Sequence, residues 1–348
     1  MTKHPRIEGI DYLRAIMSVF VVVWHMDGGG RSLIFSKEQY PDHRFTLSDF
    51  VNFHVLLLAV PTFILISNYL FVLHGTSWAA LKRRLWRLAL LVTFWPVALT
   101  LCKRGVFGLQ DLSPSSFPSL VSLLVTAGHT IYFFFVSLIV CLVITYVVSK
   151  LPDAAVWCGS VLSVVFLFSL PLATKMSGWS WLSAGRSPLN FIPYCFAAIL
   201  LSRYAGHIAR RKALILAAGL LLAVALSVAE WRLDTGSIFF ASEDPFLRGQ
   251  ESAIPAYTRA SLLFSTVVVL ILAVNPAIKA HGAVRFMSRH ALALYCIHPF
   301  LRRPIEDGLS RFALPDAVAL YGGIGLVIGL SYAMSIVLSL YLKEDVLR

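Results

Sequence analysis

The chain has 348 residues, 58% of them hydrophobic and only 14% charged, with a mean hydropathy of +0.76. A soluble domain of this length has no room to bury so much apolar side chain, so the composition excludes one and points to a chain that crosses a bilayer repeatedly. The formal net charge of +12 is then read as basic loops on the cytoplasmic side, with no nucleic-acid partner implied.

Runs of about 17–25 mostly apolar residues mark candidate membrane spans. In chain order they fall near 10–26, 50–73, 85–102, 130–149, 156–173, 189–202, 213–229, 257–275, 284–301 and 317–342. The fold class expected is therefore an all-α integral membrane protein, a bundle of about ten transmembrane helices around a central cavity. Residues 1–348 are expected to form a single membrane domain, with no soluble domain left over. If the N-terminus is cytoplasmic, the inner segments hold sixteen basic and five acidic side chains, while the outer loops balance to zero. That bias predicts an N-in/C-in arrangement. The five cysteines lie in or beside apolar runs without metal-ligand spacing and read as packing residues, so no metal is expected.

The first apolar run, Arg6 to Met26, is interrupted by two polar side chains, Arg14 and His25. Eleven residues at 100° each make three turns and about 20°, so on a helix both project from nearly the same face, roughly 16 Å apart along the axis. A cation at a helix centre in lipid costs about 3 kcal/mol, so this face should look into protein or a wet cavity. His25 can hold or release a proton near neutral pH, and counting rises from Ile10 puts it about 22 Å into a core of about 30 Å. The ordered set Gly9-Ile-Asp-Tyr-Leu-Arg14, ten residues, then His25 resembles the opening of the membrane acyltransferase-3 family. Members of that family move acyl groups, usually acetyl, from a cytoplasmic donor to carbohydrates or lipid-linked sugars outside.

The second span carries Pro61-Thr-Phe63-Ile-Leu-Ile-Ser67-Asn68-Tyr69-Leu, similar to the family's Pro-x-Phe-x-x-x-Ser-Gly-Tyr-Leu pattern. Asn68 replaces the usual glycine and would need a hydrogen-bonding partner there. The loop entering the third span, Leu81-Lys-Arg-Arg-Leu-Trp-Arg87, is densely cationic. Arg84 and Arg87 fall on one helical turn, and their planar forks match phosphate oxygens. A positive-inside anchor would look the same. The segment resembles the family's Arg-rich stretch proposed to hold the phosphates of acyl-CoA. His129, before the fourth span, loosely resembles an aromatic-rich family turn and is not taken as catalytic. Near the C-terminus Leu294, Tyr295 and His298 match the end of a Ser-x-x-Leu-Tyr-x-x-His pattern, with Tyr295 and His298 on one helical face. His54, His290 and the remaining histidines have no ligand spacing and read as solvated or interfacial. The loop 230–256 is expected outside, where Trp231, Phe239, Phe240 and Phe246 could stack on sugar rings.

The expected function is a membrane-embedded O-acyltransferase, an O-acetyltransferase moving acetyl from cytoplasmic acetyl-CoA to a hydroxyl of an envelope or exported polysaccharide or a lipid-linked glycan. His25 is the candidate catalytic residue, as general base or transient acyl carrier. Arg14, Arg84 and Arg87 are the candidate donor-binding cations. Ser67, Asn68, Tyr295 and His298 support the cavity. The resemblance implies a multi-pass protein of a bacterial inner (cytoplasmic) membrane, with an acyl-CoA donor, a glycan acceptor, the lipid bilayer and envelope-polysaccharide biosynthesis proteins as partners. A transporter or flippase using Arg14 and His25 as an anion or proton pathway is the competing reading.

Overall fold

The computed structural model describes residues 6–27, 47–105, 130–177, 185–236, 256–312 and 314–341, with residues 124, 127 and 254. These are mostly helical, with no strand among the described residues. In lipid this is the expected outcome, because a helix satisfies its own backbone groups without water. His129, Phe239, Phe240 and Phe246 lie outside the described residues.

The α-helices are α1 (Glu8–Asp27), α2 (Leu47–His54), α3 (Ala59–Leu73), α4 (Trp78–Arg104), α5 (Phe133–Val148), α6 (Asp153–Ser177), α7 (Ile192–Arg203), α8 (Ala205–Arg210), α9 (Lys212–Gly236), α10 (Ala260–Ala273), α11 (Gly282–Leu309) and α12 (Asp316–Tyr341). Each of the ten apolar runs named above is mostly helical over its described residues. Among the described residues six stretches are long and apolar enough to span a membrane: Glu8–Met26, Phe50–Leu73, Trp78–Arg104, Asp153–Leu170, Lys212–Leu233 and Asp316–Leu340. Helices α5 and α10 are apolar but shorter, at 16 and 14 residues. The second apolar run is divided between α2 and α3, with the 3-10 turn Leu56–Leu58 between them.

The chain divides into two compact units. The first holds the described residues of 1–6, 61–226 and 255–272, and the second those of 7–60, 227–254 and 273–348.

In the first unit α4 packs on α5, which also packs on α7, and α7 packs on α6. Phe71, Leu81 and Leu142 join α3, α4 and α5 in one buried cluster, and Val148, Val156 and Ile199 join α5, α6 and α7 in another. The start of α4 is capped by Ser77, whose hydroxyl accepts from the Ala80 N–H at 3.2 Å. The α5–α6 turn is clamped by Arg203. Its guanidinium donates to the Ser149 and Leu151 carbonyls at 2.9 Å each and to Asp153 Oδ1 at 2.6 Å. One planar fork thus satisfies two carbonyls beyond the end of α5 and the acid in the first turn of α6. All five cysteines are free thiols, and Cys141 and Cys195 are buried in packing positions.

In the second unit α1, α11 and α12 pack pairwise on one another around Val22, Met26, Leu294 and Val327. Gly9 is required by the start of this arrangement. A Cβ at that position would overlap the carbonyl oxygen of Ala273, so only glycine lets the α1 backbone approach so closely. Two residues on, buried Asp11 accepts from the Ser288 hydroxyl at 2.7 Å. Glu8 accepts from the Ala280 N–H at 2.7 Å and from Arg285 at 3.1 Å, which places a carboxylate just ahead of α11 where helix-end N–H groups favour it.

A candidate active site on α1 and α11

Helix α1 runs unbroken through both Arg14 and His25, as their spacing predicts, so the cation and the imidazole share one rigid element. Both are half-buried. The second unit brings His298 of α11 against His25, its ring 5.0 Å from that of His25, centroid to centroid, and its Nε2 3.3 Å from His25 Nδ1. These two residues are 273 apart in sequence. Tyr295, one turn earlier on α11, packs edge-on to His298 with centroids 6.1 Å apart, and both are almost fully buried.

The hydrogen bonds assign the protons. His25 Nδ1 lies 2.8 Å from the Val21 carbonyl oxygen, and His298 Nδ1 lies 3.1 Å from that of Leu294. A carbonyl only accepts, so in the neutral rings both Nδ1 atoms carry the hydrogen. His298 Nε2 is then an acceptor, and the His25 Nδ1–H is shared between it and the Val21 carbonyl. The remaining nitrogen of His25, Nε2, holds the in-plane lone pair. That is the atom able to take a proton from a hydroxyl, or to attack an acyl carbon. Fixing a ring's tautomer through the hydrogen bond on its other nitrogen is how a histidine base is commonly aimed. Helix α11 also carries Pro299, which has no N–H to give to the Tyr295 carbonyl, so the helical ladder lacks one bond beside this pair.

The other candidates lie in the first unit. The cationic patch sorts itself by helical face: Lys82 and Arg83 are exposed, whereas Arg84 and Arg87 are half-buried on α4. Arg84 donates to the Ser67 carbonyl at 3.2 Å and sits 5.1 Å over the Phe71 ring. Thus Ser67 meets Arg84 through its backbone. Asn68 is fully buried and finds the partner its position demands. It accepts from the Thr145 hydroxyl at 3.0 Å and donates to the Ile64 carbonyl at 2.9 Å, tying α3 to α5.

Two buried histidines were misjudged by sequence reasoning. His290 of α11 has its Nδ1 2.7 Å from the Ser335 hydroxyl, and His54 has its Nδ1 3.7 Å from Glu230 Oε2. Both are less than a tenth exposed, not solvated. Each partner comes from a distant helix, and nothing in the local spacing of either histidine announces it. Asp11 was missed for the same reason. No group of three or more potential metal ligands occurs among the described residues.

No curated protein and no solved structure matches the chain. A family model does: that of the acyltransferase domain called acyltransferase-3 matches residues 7–340, which includes α1, the α4 cations and the His25–His298 pair. With that match over nearly its whole length, this chain belongs to the acyltransferase-3 family and is a membrane acyltransferase.

Proposed function

We propose that the protein is an O-acetyltransferase that moves acetyl from cytoplasmic acetyl-CoA to a hydroxyl of an envelope polysaccharide or lipid-linked glycan. The observation that carries the reading is the His25–His298 pair, in which the hydrogen bonds leave Nε2 of His25 as the basic nitrogen. A sugar hydroxyl is a poor nucleophile until its proton is taken, and a neutral imidazole suits that task near pH 7. His25 takes the proton as the hydroxyl oxygen bonds to the thioester carbonyl carbon. The C–S bond then breaks and CoA leaves as a thiolate that accepts the proton. In the two-step variant His25 itself bears the acetyl group before the hydroxyl takes it. Arg14, Arg84 and Arg87 hold donor phosphates in this proposal, and Ser67, Asn68 and Tyr295 support the cavity.

The same proposal places the whole chain as one module in a bacterial inner membrane, with about ten crossings and both termini cytoplasmic, beside proteins that build the envelope polysaccharide. Family membership favours this over a transporter, because transport needs no acyl chemistry. The test is to incubate membranes with radiolabelled acetyl-CoA and the isolated envelope polysaccharide. Label is expected in glycan with the unmodified protein and none with His25→Ala at equal expression. Uptake of donor without covalent label, or wild-type labelling by His25→Ala, would overturn the reading.

A further inference from the structure

Helix α4 carries cations on two faces, and the donor-binding proposal uses only the half-buried one. Lys82 and Arg83 lie on the exposed face. The described residues of the first unit include a single acid, Asp153. Its carboxylate is already held by Arg203 at 2.6 Å and by the Tyr204 hydroxyl at 3.0 Å. Along the helix, no acid stands three or four residues from Lys82 or Arg83. The positive end of the helix dipole lies at the start of α4, so cations there add nothing to the helix itself.

These cations belong to one strongly basic end of the unit. Lys150, after α5, donates to the Thr76 carbonyl at 2.9 Å, which joins the α5–α6 turn to the turn before α4. Arg203, at the end of α7, clamps the same α5–α6 turn. Arg210 and Arg211, at the end of α8, are exposed as well. Tryptophans mark the same end. Trp78 and Trp86 are 61% and 68% exposed, one on either side of Lys82 and Arg83 along α4, and Trp157 is exposed in the second turn of α6. Trp78 packs on Tyr146 with ring centroids 6.0 Å apart, and Lys150 Nζ sits 5.2 Å over that Tyr146 ring. Beyond Trp86 the exposed face of α4 turns apolar, with Leu90 and Phe94. From Lys82 these lie about 12 and 18 Å along the axis.

An indole is amphipathic and settles at the headgroup level of a bilayer. Trp78 and Trp86 therefore bracket the depth at which lipid phosphates lie, and Lys82 and Arg83 stand between them. Leu90 and Phe94 then fall at the depth of the acyl chains. We propose that the exposed face of α4 between Trp78 and Trp86 binds an anionic phospholipid. Lys82 and Arg83 take its phosphate oxygens through charge-assisted hydrogen bonds, Lys150 adds positive charge beside Trp78, and the acyl chains lie along Leu90 and Phe94. The continuity of the cations with an exposed apolar face favours a lipid over an acidic protein segment, which has no chains to lay there. In the proposed orientation this end meets the cytoplasmic leaflet, whose anionic lipids attract basic side chains at the ends of spans.

The test is retention of radiolabelled phosphatidylglycerol by the full chain immobilised in an uncharged detergent, with phosphatidylcholine of the same acyl chains as the neutral reference. Phosphatidylglycerol should be retained at a concentration about tenfold lower or less, since each basic side chain at a headgroup contributes about fivefold. Lys82→Gln/Arg83→Gln should remove that preference. Arg210→Gln/Arg211→Gln takes two charges from the same end away from the tryptophans and should keep it, and Trp86→Ala should weaken it. In the unmodified protein the preference should fade as salt rises, a readout that needs no variant to fold. Equal retention of the two lipids, a preference that survives loss of Lys82 and Arg83, or one that ignores salt would each overturn the assignment. Equal losses in the two double variants would reduce it to diffuse charge. Competition by glycerophosphoglycerol as strong as by the intact lipid would make this a site for a free phosphate, and a raised donor KM in Lys82→Gln/Arg83→Gln would assign both cations to acetyl-CoA. Either result would also sink the lipid site.

Discussion

At the residue scale the proposed chemistry depends on which nitrogen of His25 is basic. The Val21 and Leu294 carbonyls force both Nδ1 atoms to donate, and His298 Nε2 adds a second acceptor for the His25 proton at 3.3 Å. In the proposed reaction His298 is therefore a positioning residue, acting through His25. His298→Leu should lower kcat roughly ten- to a hundredfold, the usual cost of losing a partner that orients a working histidine, while leaving both KM values near normal. His298→Gln keeps an acceptor oxygen near the place of Nε2 and should recover part of the rate. Equal kcat in the Leu and Gln variants would remove the hydrogen bond from the argument and leave only packing.

At the scale of elements, α1 is held at its start by a contact that tolerates no side chain. Gly9→Ala must push α1 away from Ala273, and overpacking against rigid backbone typically costs about 1–3 kcal/mol. We expect a lower thermal midpoint in detergent and reduced transfer in proportion to folded protein, and an unchanged midpoint would show that the chain end yields instead. Helix α4 presents its cations in two directions, and in the proposed function the half-buried pair holds the donor. The double variant Arg84→Ala/Arg87→Ala should raise donor KM with less effect on kcat, whereas Lys82→Ala/Arg83→Ala, on the exposed face, should not. Donor KM that ignores the first double variant would reduce the patch to an anchor of topology.

For the whole molecule the basic bias predicts which surfaces meet the cytoplasm. Single cysteines are placed at two exposed positions in a chain otherwise free of cysteine: Arg211, before α9, and Phe312, after α11. An impermeant thiol reagent added to cells with a permeabilised outer membrane should modify Phe312→Cys at once and Arg211→Cys only after lysis. The reverse pattern would invert the proposed orientation, and labelling of both from outside would change the number of crossings between them.

The elements were legible in the sequence because their cause is local. A continuous apolar run long enough for a bilayer must be helical to satisfy its own backbone, and the helical period alone puts Arg14 and His25 on one face of α1. The resemblance carried by Gly9 through His25, and by Leu294 to His298, likewise sits in contiguous residues. The partners of those faces were not legible. His25 meets His298, Asp11 meets Ser288, Asn68 meets Thr145 and His54 meets Glu230 only through tertiary packing. Composition made isolated histidines such as His54 and His290 look interfacial, yet packing buries both against partners on other helices. Periodicity tells a helix which side to bury, whereas the identity of the side chain waiting there is a property of another helix, and only the tertiary structure decides it.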